Sequence, residues 1–196
     1  MRYLDVLKES MITPNKIKVR NNASAAVIVR YDENNNKQIL LIQRAREDHW
    51  PNHWEFPRGK CDYGESSGTG SESILGCVKR EVKEETGLDI IPLVLIDKFQ
   101  YLADAGERLS TCFNFLCKMK DPEQKVKLSK EHQDFKWISE IGQVELLVLP
   151  DQKKTIEKVL NSDRQIVTYP ANDFTVNNKI EEYLQCLFNQ VKQTME

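Results

Sequence analysis

Apolar residues recur along the chain in two rhythms, one of a strand and one of a helix. Leu4, Leu7 and Met11 stand at helical spacing and predict a short helix or arm that stops near Pro14. AAVIVR at 25–30 and QILLIQR at 38–44 are β-rich runs separated by the turn-forming stretch DENNN, a pattern that predicts a hairpin. Over 71–86 the rhythm turns helical. Apolar positions fall at 74, 75, 78 and 82, Ser71 is the candidate N-cap, and Gly87 stands where the helix would end. IIPLVLIDKFQY (90–101), TCFNFLCK (111–118) and FKWI (135–138) predict strands, and 139–161 predicts two short amphipathic helices around Pro150. Val176, Ile180, Leu184, Leu187 and Val191 share one side of a final helix. No internal repeat is present. This order predicts a mixed α/β domain with a helical tail.

Composition narrows the partners more than the fold. The 196 residues fit one domain with an elaboration, and 40% hydrophobic residues supply a core. With 28 basic and 30 acidic side chains the formal net charge is -2, which argues against a protein that wraps duplex DNA. A local basic groove for phosphates is compatible with that balance. The amino-terminal stretch has no continuous apolar region, so no signal peptide is expected, and no run approaches the length of a membrane span. The five cysteines (Cys61, Cys77, Cys112, Cys117 and Cys186) show no C-x2-C spacing. The expectation is reduced, partly buried thiols in a cytoplasmic protein.

The chemistry gathers in Arg80-Glu81-Val82-Lys83-Glu84-Glu85-Thr86-Gly87-Leu88. On a helix, Glu81, Glu84 and Glu85 stand at i, i+3 and i+4, so three carboxylates crowd one face beside Val78 and Val82. Like charges at that spacing cost about 0.2–0.5 kcal/mol. Anions in the last turn also oppose the helix dipole, by about 0.3–1 kcal/mol at low salt. A cluster that works against local stability points to a missing positive charge, and a hard divalent cation suits oxygen ligands. The plainer alternative is a solvated charged face softened by Lys79 and Lys83. Upstream, Phe56-Pro57-Arg58-Gly59-Lys60 offers a glycine that lets backbone approach a ligand and two cations, Arg58 and Lys60, that suit phosphate.

These residues resemble the signature of the Nudix family, G-x5-E-x7-R-E-U-x-E-E-x-G-U with U aliphatic. Gly59-x5-Glu65 fits the first half, and Arg80 to Leu88 fits the second without a mismatch. The departure lies between the halves. Residues 66–79, fourteen of them, separate Glu65 from Arg80 instead of seven, and the surplus is close to the Gly/Ser-rich SSGTGSE (66–72). Glu72 restores the seven-residue spacing, so Glu65 and Glu72 both remain candidates for that acidic position. Further on, Leu128-Ser129-Lys130-Glu131-His132-Gln133-Asp134-Phe135-Lys136-Trp137 resembles the L-S-x-E-H-Q-x-[YF]-x-W segment of asymmetric diadenosine tetraphosphate hydrolases. His53-Trp54-Glu55-Phe56-Pro57-Arg58-Gly59-Lys60 is similar to their H-W-x-x-P-K-G stretch, to the W-x-F-P-R-G-K of decapping members, and to the W-E-F-P of members that clean nucleoside triphosphates.

The resemblance implies a Nudix fold, a mixed sheet sandwiched between helices, over 21–161. An arm (1–20) precedes it and a helical extension (162–196) follows. It implies Mg2+ or Mn2+ as cofactor, with Glu81, Glu84, Glu85, Glu131 and the carbonyl of Gly59 as candidate ligands. Glu84 or Glu81 is the implied general base, Arg80 orients a glutamate, and Glu131 joins the catalytic set from its loop. Arg58, Lys60, Tyr101, His132 and Phe135 are the candidate substrate contacts, Tyr101 and Phe135 by stacking on a base; Trp50 and Trp54 are packing residues at the mouth of the site. The implied reaction is asymmetric hydrolysis of a dinucleoside polyphosphate to a nucleoside triphosphate and a monophosphate. Removal of a cap or pyrophosphate from an RNA 5′ end is the rival within enzymes. A catalytically silent module that only binds nucleotide or RNA is the rival outside them.

Overall fold

The computed structural model describes residues 19–48, 50–62, 72–103, 107–146 and 150–162. The arm through residue 18, Glu65, the 66–71 stretch and the predicted helix near 176–191 lie outside the described residues. The elements run β1 (Val19–Tyr31), β2 (Lys37–Arg44), β3 (Trp54–Glu55), β4 (Arg58–Lys60), α1 (Ile74–Thr86), β5 (Ile90–Ala103), β6 (Arg108–Met119), β7 (His132–Ile138), a 3-10 turn (Ile141–Gln143) and α2 (Pro150–Leu160). Among them no helix is long and apolar enough to cross a membrane.

The strands form one mixed sheet in the order β3-β2-β1-β6-β5, with β4 also beside β1 and β7 also beside β2. β1 and β6 are parallel from Val19↔Arg108 to Val29↔Lys118, and the other pairs are antiparallel. One flank of β1 is shared. Its Val29–Tyr31 end pairs with β2, while Ala23–Ala25 pairs with β4. The chain from β3 to β4 bridges this fork, where the Ala26 N–H donates to the Pro57 carbonyl at 2.9 Å. The predicted hairpin turn is tied by Asp32, whose Oδ1 accepts the N–H groups of Asn34 and Asn36 at 2.9 and 2.8 Å.

Period-2 alternation in a doubly covered sheet buries both faces, which is why β1 reads as a continuous apolar run. Ala26, Ile28, Leu40, Phe113 and Phe115 pack with Ile74, Leu75, Val78 and Val82 of α1. Ala25, Val27, Val29, Ile39 and Leu41 pack on the other face with Ile156 and Val159 of α2. Burying each of the larger side chains among these contributes about 1.5–3 kcal/mol. The expected mixed sheet between helices is therefore present.

Several boundaries differ from the sequence reading. β1 begins at Val19 because its parallel register with β6 extends the pairing beyond the apolar run. The cap of α1 is Ser73, whose hydroxyl accepts the Gly76 N–H at 3.0 Å, rather than Ser71. The C-terminal glycine is as expected, Gly87 at φ 69° with its N–H on the Lys83 carbonyl. Of the two helices expected around Pro150, the second is the one present among the described residues, with Pro150 as its first residue. The first reduces to the turn Ile141–Gln143, closed by reciprocal bonds between Glu140 and Gln143.

The cysteine expectation is also corrected. Cys61 and Cys77 form a disulfide, with their Cα atoms 5.1 Å apart. Beside this bond the Glu72 N–H donates to the Asp62 carbonyl at 2.9 Å. The disulfide holds the end of β4 against α1. Cys112 and Cys117 are buried free thiols, pushed up by burial, Cys112 to about 12.

Candidate active site

The three acids of α1 occupy three environments. Glu85 lies in the buried stripe at 8% exposure, Glu81 is half-buried, and the Glu84 side chain is 59% exposed. Position on the helix explains the grading. Glu85 is three residues from Val82 and seven from Val78, on the face that packs against the sheet. Its carboxylate accepts the Arg58 N–H at 2.8 Å. Burial pushes Glu85 well above the usual carboxylate range, and the nearby charge of Glu55 adds to the shift. Burial also raises Glu81, against the opposing pull of Arg80.

Arg80 organises the outer edge of the cluster. Its Nε donates to Glu72 Oε1 at 2.9 Å and its Nη1 lies 2.9 Å from Glu81 and 3.0 Å from Glu84. Its Nη2 donates to the Lys60 carbonyl at 2.9 Å. Glu72, one of the two candidates for the acidic position of the signature, is held on this guanidinium, and Glu65 lies outside the described residues. The close approach at Gly59 is literal, because the Glu81 carboxyl group lies where a Cβ at position 59 would stand. Lys60 is exposed at the end of β4.

A second ionic group lies beneath the first. Glu55 is 1% exposed and meets Arg44 at 2.5 Å and Arg58 at 2.6 Å. Burial opposes its ionisation, but Arg58, His132 and Arg44 together hold its carboxyl down at about 2. Glu55 in turn raises Arg58, whose guanidinium points inward, 5.7 Å from the centre of the Tyr101 ring. His132 is buried with Nε2 3.7 Å from Glu55 and 3.9 Å from Glu85. The sequence reading passed over Glu55. The signal was an acid between two large apolar residues, Trp54 and Phe56, both buried.

The Leu128–Gln133 segment docks on the end of α1. Lys127 N–H donates to the Thr86 carbonyl at 2.8 Å and Ser129 N–H to the Glu85 carbonyl at 2.9 Å. Glu131 is thereby fixed in the same region through its backbone, its carbonyl accepting the Ala45 N–H at 2.9 Å, with its side chain exposed. Phe135 is 38% exposed on β7. Tyr101 packs partly buried on the α2 face with Phe99 and Trp54. Trp54 is buried, and Trp50 is exposed with its edge to His53.

The donors suit a hard cation: carboxylates at Glu81 and Glu85 and the Gly59 carbonyl, with a glycine that admits Glu81 at close range. Among the described residues no three His, Cys, Asp or Glu side chains already converge on one point. Glu81 is turned to Arg80 and Glu85 to the Arg58 N–H.

The NUDIX domain family model matches residues 21–159. The chain belongs to the Nudix family. It is thus a hydrolase of phosphoanhydride bonds, a family whose members generally use divalent metals. Over 123 residues it is 30% identical to the asymmetrical bis(5′-nucleosyl)-tetraphosphatase of Sus scrofa, across 62% of this chain and 77% of that one. It is 27% identical over 174 residues to the m7GpppN-mRNA hydrolase of Saccharomyces cerevisiae, covering 83% of this chain but 16% of that protein. A crystal structure of a C. elegans Ap4A hydrolase binary complex shares the Nudix fold, with a TM-score of 0.55 and 23% identity over 71% of this chain and 94% of that one.

Proposed function

We propose that this Nudix hydrolase cleaves dinucleoside polyphosphates asymmetrically, giving a nucleoside triphosphate and a monophosphate from a tetraphosphate. The observation that carries this reading is the docking of the Leu-Ser-Lys-Glu-His-Gln segment onto the Glu85 end of α1. That segment resembles the one in asymmetric tetraphosphate hydrolases, and the similarity to the Sus scrofa enzyme supports the same substrate class.

In this reading Glu81, Glu85 and the Gly59 carbonyl, with Glu84 and Glu131 nearby, hold Mg2+ or Mn2+. Bound there, the metal neutralises charge on phosphoryl oxygens and acidifies water. Glu84, Glu81 or Glu131 accepts the proton of the attacking water. Arg80 keeps Glu81 and Glu84 oriented by charge-assisted bonds. Lys60, exposed beside the cluster, meets the polyphosphate, and Phe135 offers an open ring for a base. Tyr101 stacks only if its packed ring turns out, and Arg58 reaches phosphate only if it leaves Glu55.

A specific observation favours cleavage at an RNA 5′ end as the second reading: the likeness to the yeast m7GpppN-mRNA hydrolase runs over 83% of this chain. The two are separated by kcat/KM for diadenosine tetraphosphate, capped RNA, nucleoside triphosphates and nucleotide sugars at equal Mg2+. The tetraphosphate is expected to exceed the others by at least tenfold. A preference for capped RNA would replace the first reading with the second, and binding without turnover of any substrate would leave only a silent module.

A further inference from the structure

Glu55 is the most deeply buried acid among the described residues, and no step of the reaction above uses it. A buried carboxylate is retained only when it is paired and hydrogen-bonded. Its partners come from three places: Arg44 at the end of β2, Arg58 at the start of β4, and His132 at the start of β7. Two of the three also face Glu85. The Arg58 N–H is bonded to Glu85 Oε2 at 2.8 Å, while the Arg58 Nε is bonded to Glu55 Oε2 at 2.6 Å. One residue is therefore clamped by Glu55 at its side chain and holds Glu85 with its backbone.

His132 repeats the arrangement. Ser129 Oγ accepts the Glu131 N–H at 3.3 Å and lies 3.4 Å from His132 Nδ1, a contact open to either direction. The other ring nitrogen, Nε2, stands between Glu55 at 3.7 Å and Glu85 at 3.9 Å. That nitrogen is buried without a hydrogen-bond partner, and these two carboxylates are the charged groups the structure places beside it.

We propose that Glu55 is a positioning residue for the metal site: it fixes the Arg58 side chain, whose backbone N–H holds Glu85 in its ligating orientation, and it keeps His132 beside the same carboxylate. This rests on Glu85 as a metal ligand. Outer partners of metal-binding carboxylates typically change metal affinity by about tenfold to a hundredfold when removed.

The test is binding of Mn2+ alone, without substrate, to the full chain, read from the signal of free Mn2+ at a temperature where every variant is folded. Glu55→Gln is expected to weaken the Mn2+ Kd by at least about tenfold, and its turnover deficit should shrink as Mg2+ is raised. Ile156→Ala, on the far face of the sheet, supplies a purely structural loss of stability and should keep the wild-type Kd. If Glu55→Gln does not fold, His132→Gln decides, because it breaks one of the two links while leaving Glu55 on Arg58. A Kd within twofold of wild type in the folded variant overturns the proposal and leaves Glu55 as structural. Failure of the wild type itself to bind Mn2+ would instead overturn the reading of Glu85 as a ligand.

Discussion

Two charged clusters sit at the same end of the molecule and obey opposite rules. The outer one, Glu72, Arg80, Glu81 and Glu84, is partly open to water, with Arg80 30% and Glu84 59% exposed at their side chains. Pairs of that kind contribute about 0–1 kcal/mol each, so their partners can be exchanged for a substrate or a cation with little loss of fold. The inner one centres on Glu55 and His132, each 1% exposed at the side chain, with Arg58 and Arg44 only partly exposed around them, and there removing one partner strands the others. Glu85 stands at the boundary between them. The molecule keeps its replaceable charges outside and its fixed charges inside, with the candidate ligand where the two meet.

The comparison breaks most sharply at that boundary. Glu85→Gln is expected to abolish turnover while the protein stays folded and melts no lower than wild type, because the neutral amide relieves a buried, crowded carboxylate. Glu84→Gln should also lose turnover with an unchanged melting temperature. Turnover and melting are to be measured together, and near-normal activity in both variants would end the assignment of the cluster.

Glu131→Gln should lower kcat by on the order of 10²–10⁴ with little change in KM, the range for a proton-transfer group. Assays at saturating Mg2+ and several pH values check this, and a loss below about threefold removes Glu131 from the mechanism.

The inner cluster should show itself in stability. Glu55→Gln is expected to cost about 3–5 kcal/mol at neutral pH, as for a broken buried ion pair. Because the Glu55 carboxyl is depressed from 4.5 to about 2, its contribution is complete above 4.5 and is lost as pH falls toward 2. Denaturant titrations of both proteins from pH 7 down to 3 should show the gap narrowing, and a gap independent of pH would mean that the charge is not the source. At the weak end, Lys83→Ala removes a pair with Asp89 in which both side chains are more than half exposed. Its effect on stability should stay within about 0.5 kcal/mol.

These contrasts also mark what the sequence could reveal. The outer acids were legible because their pattern is local: three glutamates within five residues, a stop at Gly87, and an apolar stripe that sets the phase of the helix. The sheet was legible for a similar reason, since β1 and β2 alternate between two buried faces. Glu55 was not, because its partners Arg44 and His132 arrive from other strands, and the pairing of β2 with both β3 and β7 brings them together. The Cys61–Cys77 bond was not legible either, because the two cysteines meet only where the end of β4 lies against α1, and their spacing matches no motif. The inward turn of Arg58 was hidden for the same cause, as a cation beside a glycine reads as a phosphate ligand until its buried acid is located.

The central claim is that the acid cluster of α1 drives metal-dependent, asymmetric cleavage of a dinucleoside polyphosphate. Chromatography of diadenosine tetraphosphate incubated with the wild-type chain, with Mg2+ and then with a chelator in excess, tests it most directly. ATP and AMP are expected in equal amounts with Mg2+, and no products once the metal is removed. Two molecules of ADP, or cleavage that persists in the chelator, would contradict it.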